Sequence, residues 1–198
     1  LLTARARGRG VLIRGGTVYS ERQDAPYLAL IPGGGLRIFG PGEAAARELL
    51  ALGVRDTYSC GPVLLRSGAA DAMAAAADAS DKTRARLCLG MVETGHLVAL
   101  VSDGQSGRYG RGIPFSALAD IFMAYGCTEA YVLSVSRYPS MLFMGENVNG
   151  VLHRRDGKRV NVSARTAAAD GLCFGKTPLV PADYRRGFVD ERPREGNE

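Results

Sequence analysis

One pattern occurs twice in this chain and limits what it can fold into: a strand, a glycine turn, a helix, a glycine stop and a second strand. Leu28-Ala29-Leu30-Ile31 runs into Pro32-Gly33-Gly34, then helix formers over 43–52, then through Gly53 into a strand at 54–59. Val98-Ala99-Leu100-Val101 runs into Ser102-Asp103-Gly104, then a helical stretch at 114–125, then through Gly126 into a strand at 131–135. In the first helix Ala45, Leu49 and Leu52 share a face. In the second Phe115, Leu118, Phe122 and Tyr125 recur at three- and four-residue spacing, and each helix meets a glycine suited to the left-handed C′ position. The class implied is α/β in the α+β sense, with mixed sheets, flanking helices and two pseudo-repeated strand-turn-helix-strand units related by a rough two-fold. The functional surface is expected where the two post-helix strands end, at 59–62 and 134–140.

Around these units the reading places hairpins at 11–19, about Arg14-Gly15-Gly16, and at 27–39, about Pro32 to Gly35. A strand follows at 63–66. The alanine run 69–79 reads as a short exposed helix or a low-complexity connection without chemistry. Strands at 87–92 and 97–102 flank Thr94-Gly95, and others fall at 141–144 and 148–152. Asp156-Gly157 between 151–155 and 158–162 is a two-residue hairpin signal, and a last strand is expected at 171–174. The chain of 198 residues suits one domain, taken as 10–176, with an N-terminal arm at 1–9 and a polar tail at 177–198.

Composition excludes several classes. A chain 46% hydrophobic and 23% charged is not wholly disordered. No apolar run approaches the roughly 18–20 residues of a spanning helix, so no transmembrane segment is expected. The net charge, 25 − 20 = +5, gathers at Arg5, Arg7, Arg9 and Arg14 and at Arg154, Arg155, Lys158 and Arg159. Aromatic residues do not interleave these charges, so they read as solvated loops rather than a nucleic-acid surface. Cys60, Cys88, Cys127 and Cys173 form no CxxC pair and the chain has two histidines, so no metal site or cofactor is expected. Buried free thiols are the reading for all four, with two disulfides as the alternative. The chain opens on Leu1 without a charged-then-apolar leader, so it reads as a processed product or a fragment.

The chemistry inventory is short. His96 follows a turn and His153 sits in a basic hairpin, so both read as exposed or structural. No HExxH, nucleophile elbow or Walker-type loop is present. Gly107 to Gly112, with Arg108 and Arg111, offers backbone donors and two guanidinium groups to a phosphate, or is simply a flexible loop before a helix. Asp103, at a strand end before Gly104, has the chemistry of a general acid or base, although turn formation accounts for it on these letters alone.

Taken in order, the motifs resemble those of the phosphodiester glycosidase family. Gly10-Val-Leu-Ile-Arg-Gly-Gly-Thr-Val-Tyr19, Glu48 to Val54, Tyr58-Ser-Cys-Gly-Pro-Val-Leu64, Arg86-Leu-Cys-Leu-Gly90, Leu100-Val-Ser-Asp-Gly104, the stretch 113–131 and Phe143 to Asn149 carry the likeness, which runs from about Gly10 to Gly175. The resemblance implies hydrolysis of a sugar-1-phosphodiester, a glycan or sugar-phosphate ligand, and an extracellular or cell-envelope location such as that of bacterial exopolysaccharide-associated members. It implies two catalytic positions, Asp103 as acid or base and Ser134 at the end of the post-helix strand, with Arg86 and Arg137 on the phosphate and Gly104, Arg165, Ser59 and Gly61 at the substrate. As partners it leaves a homo-oligomer or a separate N-terminal part of the same domain. One signature departs. The family's Asp-Gly-Gly-Gly turn falls on Ser134-Val135-Ser136-Arg137. A serine is no carboxylate, and residues with a Cβ disfavour positive φ and close ligand approach. The family's Arg…Asp pair near the C-terminus falls on Arg165 and Asp170 with one residue too many between them, and Arg159 is the competing match. Two functions therefore stand side by side: a phosphodiester glycosidase, and a catalytically degenerate member that binds glycan or serves as a structural module.

Overall fold

The computed structural model describes residues 9–59, 61–78, 85–102, 112–134, 139–143, 146–147, 149, 152–155, 158–161 and 171–174. β1 (Leu12–Arg14) and β2 (Thr17–Ser20) close a hairpin through Gly15 and Gly16, both at positive φ. β3 (Tyr27–Ile31) and β4 (Gly35–Phe39) form the second hairpin, followed by α1 (Ala46–Ala51) and β5 (Thr57–Tyr58). β6 (Val63–Arg66), β7 (Ala69–Ala70) and α2 (Ala72–Asp78) come next, so the alanine run is a short strand and then a helix. β8 (Arg86–Glu93), β9 (His96–Ser102), α3 (Phe115–Ala124) and β10 (Glu129–Ser134) complete the two large sheets. Two small hairpins follow, β11 (Leu142–Phe143) with β12 (Glu146–Asn147) and β13 (Leu152–Arg155) with β14 (Lys158–Asn161), the latter where the Asp-Gly signal puts it.

The α+β class expected from the sequence is the one observed. Every pairing among the described residues is antiparallel, with no parallel pair to make a sheet mixed in direction. One sheet has the order β4-β3-β5 and the other β7-β6-β10-β8-β9. In each, a hairpin leads into a helix and the chain returns to pair with the first strand of that hairpin: Leu28↔Tyr58 in one, Tyr131↔Leu89 in the other. The returning strand thus runs in the direction of the strand before the helix, which needs a long crossover, and the helix supplies it. The repeat begins one strand earlier than the likeness of Leu28–Ile31 to Val98–Val101 suggested: β3 corresponds to β8, and β4 to β9. Similar apolar letters gave the wrong partner because pairing is decided by which hairpin strand the return strand meets.

Helix ends follow the sequence closely. Gly53 (φ +79) donates to Leu50 O and Val54 to Leu49 O, while Gly126 (φ +74) donates to Met123 O and Cys127 to Phe122 O. Both are Schellman closures, with an apolar residue after the glycine buried against the last turn. The starts fall later than expected: α1 begins at Ala46, where Glu48 accepts the Ala45 N–H at 2.7 Å, and the 54–59 strand shrinks to two residues.

Each helix covers the outer face of its sheet. Val11, Ile13, Tyr27, Ala29, Phe39, Leu49 and Val54 fill one core; Leu64, Leu65, Cys88, Phe115, Leu118, Phe122, Ala130 and Val132 fill the other. The alternate residues Leu28, Ile38, Leu89 and Tyr131 are also buried, on the faces that meet between the sheets. Among the described residues, bonds crossing between the sheets run from Tyr131 OH to Pro26 O (2.9 Å), Leu36 N to Met91 Sδ (3.2 Å), Gly95 N to Gly34 O (3.0 Å) and Arg66 Nη1 to Ile38 O (3.2 Å).

By contacts the chain divides into Leu1–Thr166, which holds all these elements, and Ala167–Glu198. In the second unit residues 171–174 form no strand, contrary to expectation, and Gly171, Cys173 and Phe174 are exposed. Cys173 is thus not a buried thiol, whereas Cys88 and Cys127 are buried as expected, and Cys60 lies outside the described residues.

Candidate functional site

Three neighbouring strands of the larger sheet end together. β8 begins at Arg86, paired with Ser102, the last residue of β9, and β10 ends at Ser134 beside Leu87. A regular ladder continued from Val132↔Cys88 would set Ser134 opposite Arg86. The register slips between Val132 and Ser134, and Ser134 comes opposite Leu87 instead. The chain after β5 reaches the same edge, where Gly61 N donates to Val132 O (3.1 Å) and Val132 N to Pro62 O (3.2 Å). A Cβ on Gly61 would lie 2.5 Å from Val132 Cβ, so glycine there permits a backbone contact between strands. Ser59 Oγ accepts the Gly10 N–H at 2.8 Å.

The structure therefore brings Arg86, Ser134 and Gly61 to one edge, with Ser59 two residues before Gly61 and its hydroxyl engaged by the N-terminal chain. Asp103, Gly104, Arg137 and Arg165 lie outside the described residues, as does the glycine-rich loop up to Arg111. In sequence Asp103 directly follows Ser102, and Arg137 is three residues after Ser134.

Arg86 is 1% exposed. Period-2 alternation turns it to the same face as Cys88, the face α3 covers, and its guanidinium lies 4.4 Å from the centre of the Phe115 ring. Its Nη1 also donates to Ala85 O at 3.4 Å. Phe115 opens α3, and the amides of Phe115 and Ser116 donate to the two carboxylate oxygens of Asp78 at 2.5 and 2.9 Å. Burial pushes the Asp78 carboxyl up, but the hydrogen bonds from Ser116 and Phe115, helped by the Arg86 charge, outweigh it and hold the group below its ordinary value. Ser102, opposite Arg86 and 4% exposed, has no hydrogen-bond partner for Oγ among the described residues.

Sequence reasoning passed over Asp78, Phe115 and Ser102. Asp78 closes an alanine run that looked inert. The available signal was an acidic residue ending a helix, together with a later helix whose start, Pro114-Phe115-Ser116, carries no acidic cap of its own.

Other titratable groups have structural work. Tyr27 donates to Ala44 O at 2.7 Å and is pushed up to about 12, by burial first and then by Glu43 and Glu48, so it is no proton donor near neutrality. Burial pushes the Cys127 thiol up as well. His96 is exposed on β9. Among the described residues no group of three or more His, Cys, Asp or Glu is placed to hold a metal ion.

The sequence matches the family model described as phosphodiester glycosidase over residues 3–134. Among solved structures the fold is similar to that of the zebrafish N-acetylglucosamine-1-phosphodiester alpha-N-acetylglucosaminidase catalytic domain, auto-inhibited by its pro-peptide: TM-score 0.56 and 17% identity, over 72% of this chain and 50% of that one. The chain thus spans half the length of that structure. A hypothetical protein from Synechocystis matches with a TM-score of 0.43 and 18% identity, over 58% of this chain and 21% of its own. No curated protein matches. No described helix is long and apolar enough to cross a membrane. A family model covering well over half of the sequence, joined to a fold of the same kind, decides the matter: the chain belongs to the phosphodiester glycosidase family.

Proposed function

We propose that this domain recognises a sugar-1-phosphodiester or a related anionic cell-envelope glycan, and that its turnover is weak or absent. One observation carries the reading: at the edge where β8, β9 and β10 end, a buried guanidinium is present while the last residue of β10, where the family has its aspartate, is Ser134. Arg86 and Arg137 hold the phosphate, Gly104 and Arg165 lie at the substrate, and Ser59 and Gly61 shape the edge. Asp103 is the remaining acid or base. Loss of a positioned acid or base costs about 10²–10⁴-fold in rate, and Val135, Ser136 and Arg137 stand in sequence where the family has glycines, a change that disfavours positive φ and close ligand approach. The domain runs over 10–176, acts outside the cytoplasm, and works with a second copy or with a separate N-terminal part of the same domain. The second reading, an active hydrolase, is favoured by Asp103, which in sequence follows the strand-end residue Ser102.

The test is hydrolysis of an N-acetylglucosamine-1-phosphodiester by the purified chain beside Asp103→Asn, with binding of the same compound measured by calorimetry. Binding with little or no turnover is the expected result. Robust turnover that disappears in Asp103→Asn overturns the binder in favour of the hydrolase. No turnover and no binding overturns both and leaves an inherited scaffold.

A further inference from the structure

We propose that Asp78 is a positioning residue for Arg86, acting through Phe115. For its effect on a ligand this rests on the reading of Arg86 as the anion-binding group; the geometry is independent of that reading.

The argument starts at the helix end. The first amides of an α-helix have no partner within the helix, and the residue before α3 is Pro114, whose side chain accepts no hydrogen bond. Its first turn holds no acidic residue either. Asp78, the last residue of α2 and 37 positions earlier in the chain, supplies both acceptors at once, one carboxylate oxygen to each of the Phe115 and Ser116 amides. A two-point bond from an ionised carboxylate is a strong and directional tie. It fixes the backbone from which the buried Phe115 side chain springs, and the face of that ring lies under the Arg86 guanidinium. An arginine side chain has several soft torsions and a planar fork that is useful only when held in one orientation. Here one side of the fork is set by an aromatic plate, and Asp78 sets the plate.

The same tie spans the candidate site. Asp78 stands before the stretch that leads to Arg86, and Phe115 stands after the stretch that leaves Ser102, so one carboxylate joins the two approaches to the strand ends. A cap serving α3 alone would stabilise the helix without any bearing on Arg86. The two roles differ in what they predict for the guanidinium.

The experiment follows the Arg86 Nε–H signal by ¹⁵N NMR and, by calorimetry, the dissociation constant of methyl N-acetyl-α-glucosaminyl phosphate. The proteins are the full chain and its Asp78→Ala, Asp78→Ser, Phe115→Leu, Arg86→Lys and Asp78→Ala/Arg86→Lys variants. In the parent the Nε–H exchanges slowly; in Asp78→Ala and Phe115→Leu it exchanges at least tenfold faster. Affinity falls about 3–10-fold in each, and Asp78→Ser, which keeps one acceptor for the α3 amides, recovers part of both losses. In the Arg86→Lys background Asp78→Ala has no further effect on affinity. Should Asp78→Ala fail to fold, Asp78→Ser and Phe115→Leu decide the question. A lowered melting temperature with unchanged Nε–H exchange and unchanged affinity overturns the proposal and leaves Asp78 a helix cap. If Arg86→Lys binds as the parent does, or the parent does not bind, the ligand role of Arg86 falls, and Nε–H exchange alone then upholds or overturns the positioning role.

Discussion

The two hairpin-helix-strand units are built to one plan but closed in different ways. In the first, the start of α1 is tied from close by, with Glu48 accepting the Ala45 amide and Glu43 the Gly40 amide, while β5 pairs through two residues with β3 and Thr57 Oγ1 accepts the Ile13 amide and donates to Val11 O. In the second, α3 is held by a carboxylate from another helix, and β10 lies between β8 and β6 with a partner on either side. The start of the first helix is tied locally; that of the second depends on chain distant in sequence. Long-range ties hold side chains to a geometry that local propensity does not specify, and the candidate site lies at the edge of the second unit.

The largest effects test whether the difference extends to stability. Phe122→Ala empties the centre of the second core and Leu49→Ala that of the first, at costs of about 3–5 and about 2–5 kcal/mol. Urea unfolding followed by circular dichroism should give one transition for both variants, because the sheets share a buried face. Two transitions, with Leu49→Ala moving only one of them, would break the description of units joined face to face. Gly61→Ala comes next at about 1–3 kcal/mol, since its methyl meets Val132 with no room to yield. A loss as small as that of a surface substitution would show that the Gly61–Val132 contact is dispensable. Smaller again are Gly53→Ala and Gly126→Ala, each about 1–2 kcal/mol for a left-handed residue acquiring a Cβ. Gly53→Ala should cost more, because Pro32 Cγ stands 3.0 Å from the new atom.

The smallest expected effect concerns pH. Burial holds the Glu129 carboxyl above its ordinary value, although the Ser67 amide, Arg66 and Arg37 pull it down; Asp71 adds to the rise. The folded protein then binds this proton more tightly than the unfolded chain. Its contribution is fully present below the unfolded value and is lost as pH rises through the folded one. Glu129→Gln should therefore gain on the parent in urea titrations run from about pH 4 to about pH 8. Asp78, held below its ordinary value, has the opposite sign: its contribution is present above the unfolded value and is lost as pH falls through the folded one.

What the sequence made legible was local. Gly53 and Gly126 stop their helices as read, and the hairpin turns fall at Gly15-Gly16, at 32–35 and at Thr94-Gly95. What it hid was pairing at a distance. Val98–Val101 has the letters of Leu28–Ile31, yet their places in the sheets differ, because composition does not say which neighbour a returning strand will choose. Arg86 was nominated at the site, but the buried plate and the carboxylate around it come from residues 115 and 78, which no spacing connects. Ser134 was placed at the strand end, and the slip that turns it from Arg86 has no signature in its letters.

The position of β10 also bears on how the molecule is made. As a chain is synthesised, β6–β7 and β8–β9 can close as hairpins at once, leaving between them a gap one strand wide. Until residue 134 has emerged, two rows of amides and carbonyls face that gap, and any strand that arrives first can occupy it. A β10 from a neighbouring chain satisfies the same two edges as well as the chain's own. Crowded refolding should therefore yield exchanged dimers before it yields aggregates of unfolded chain.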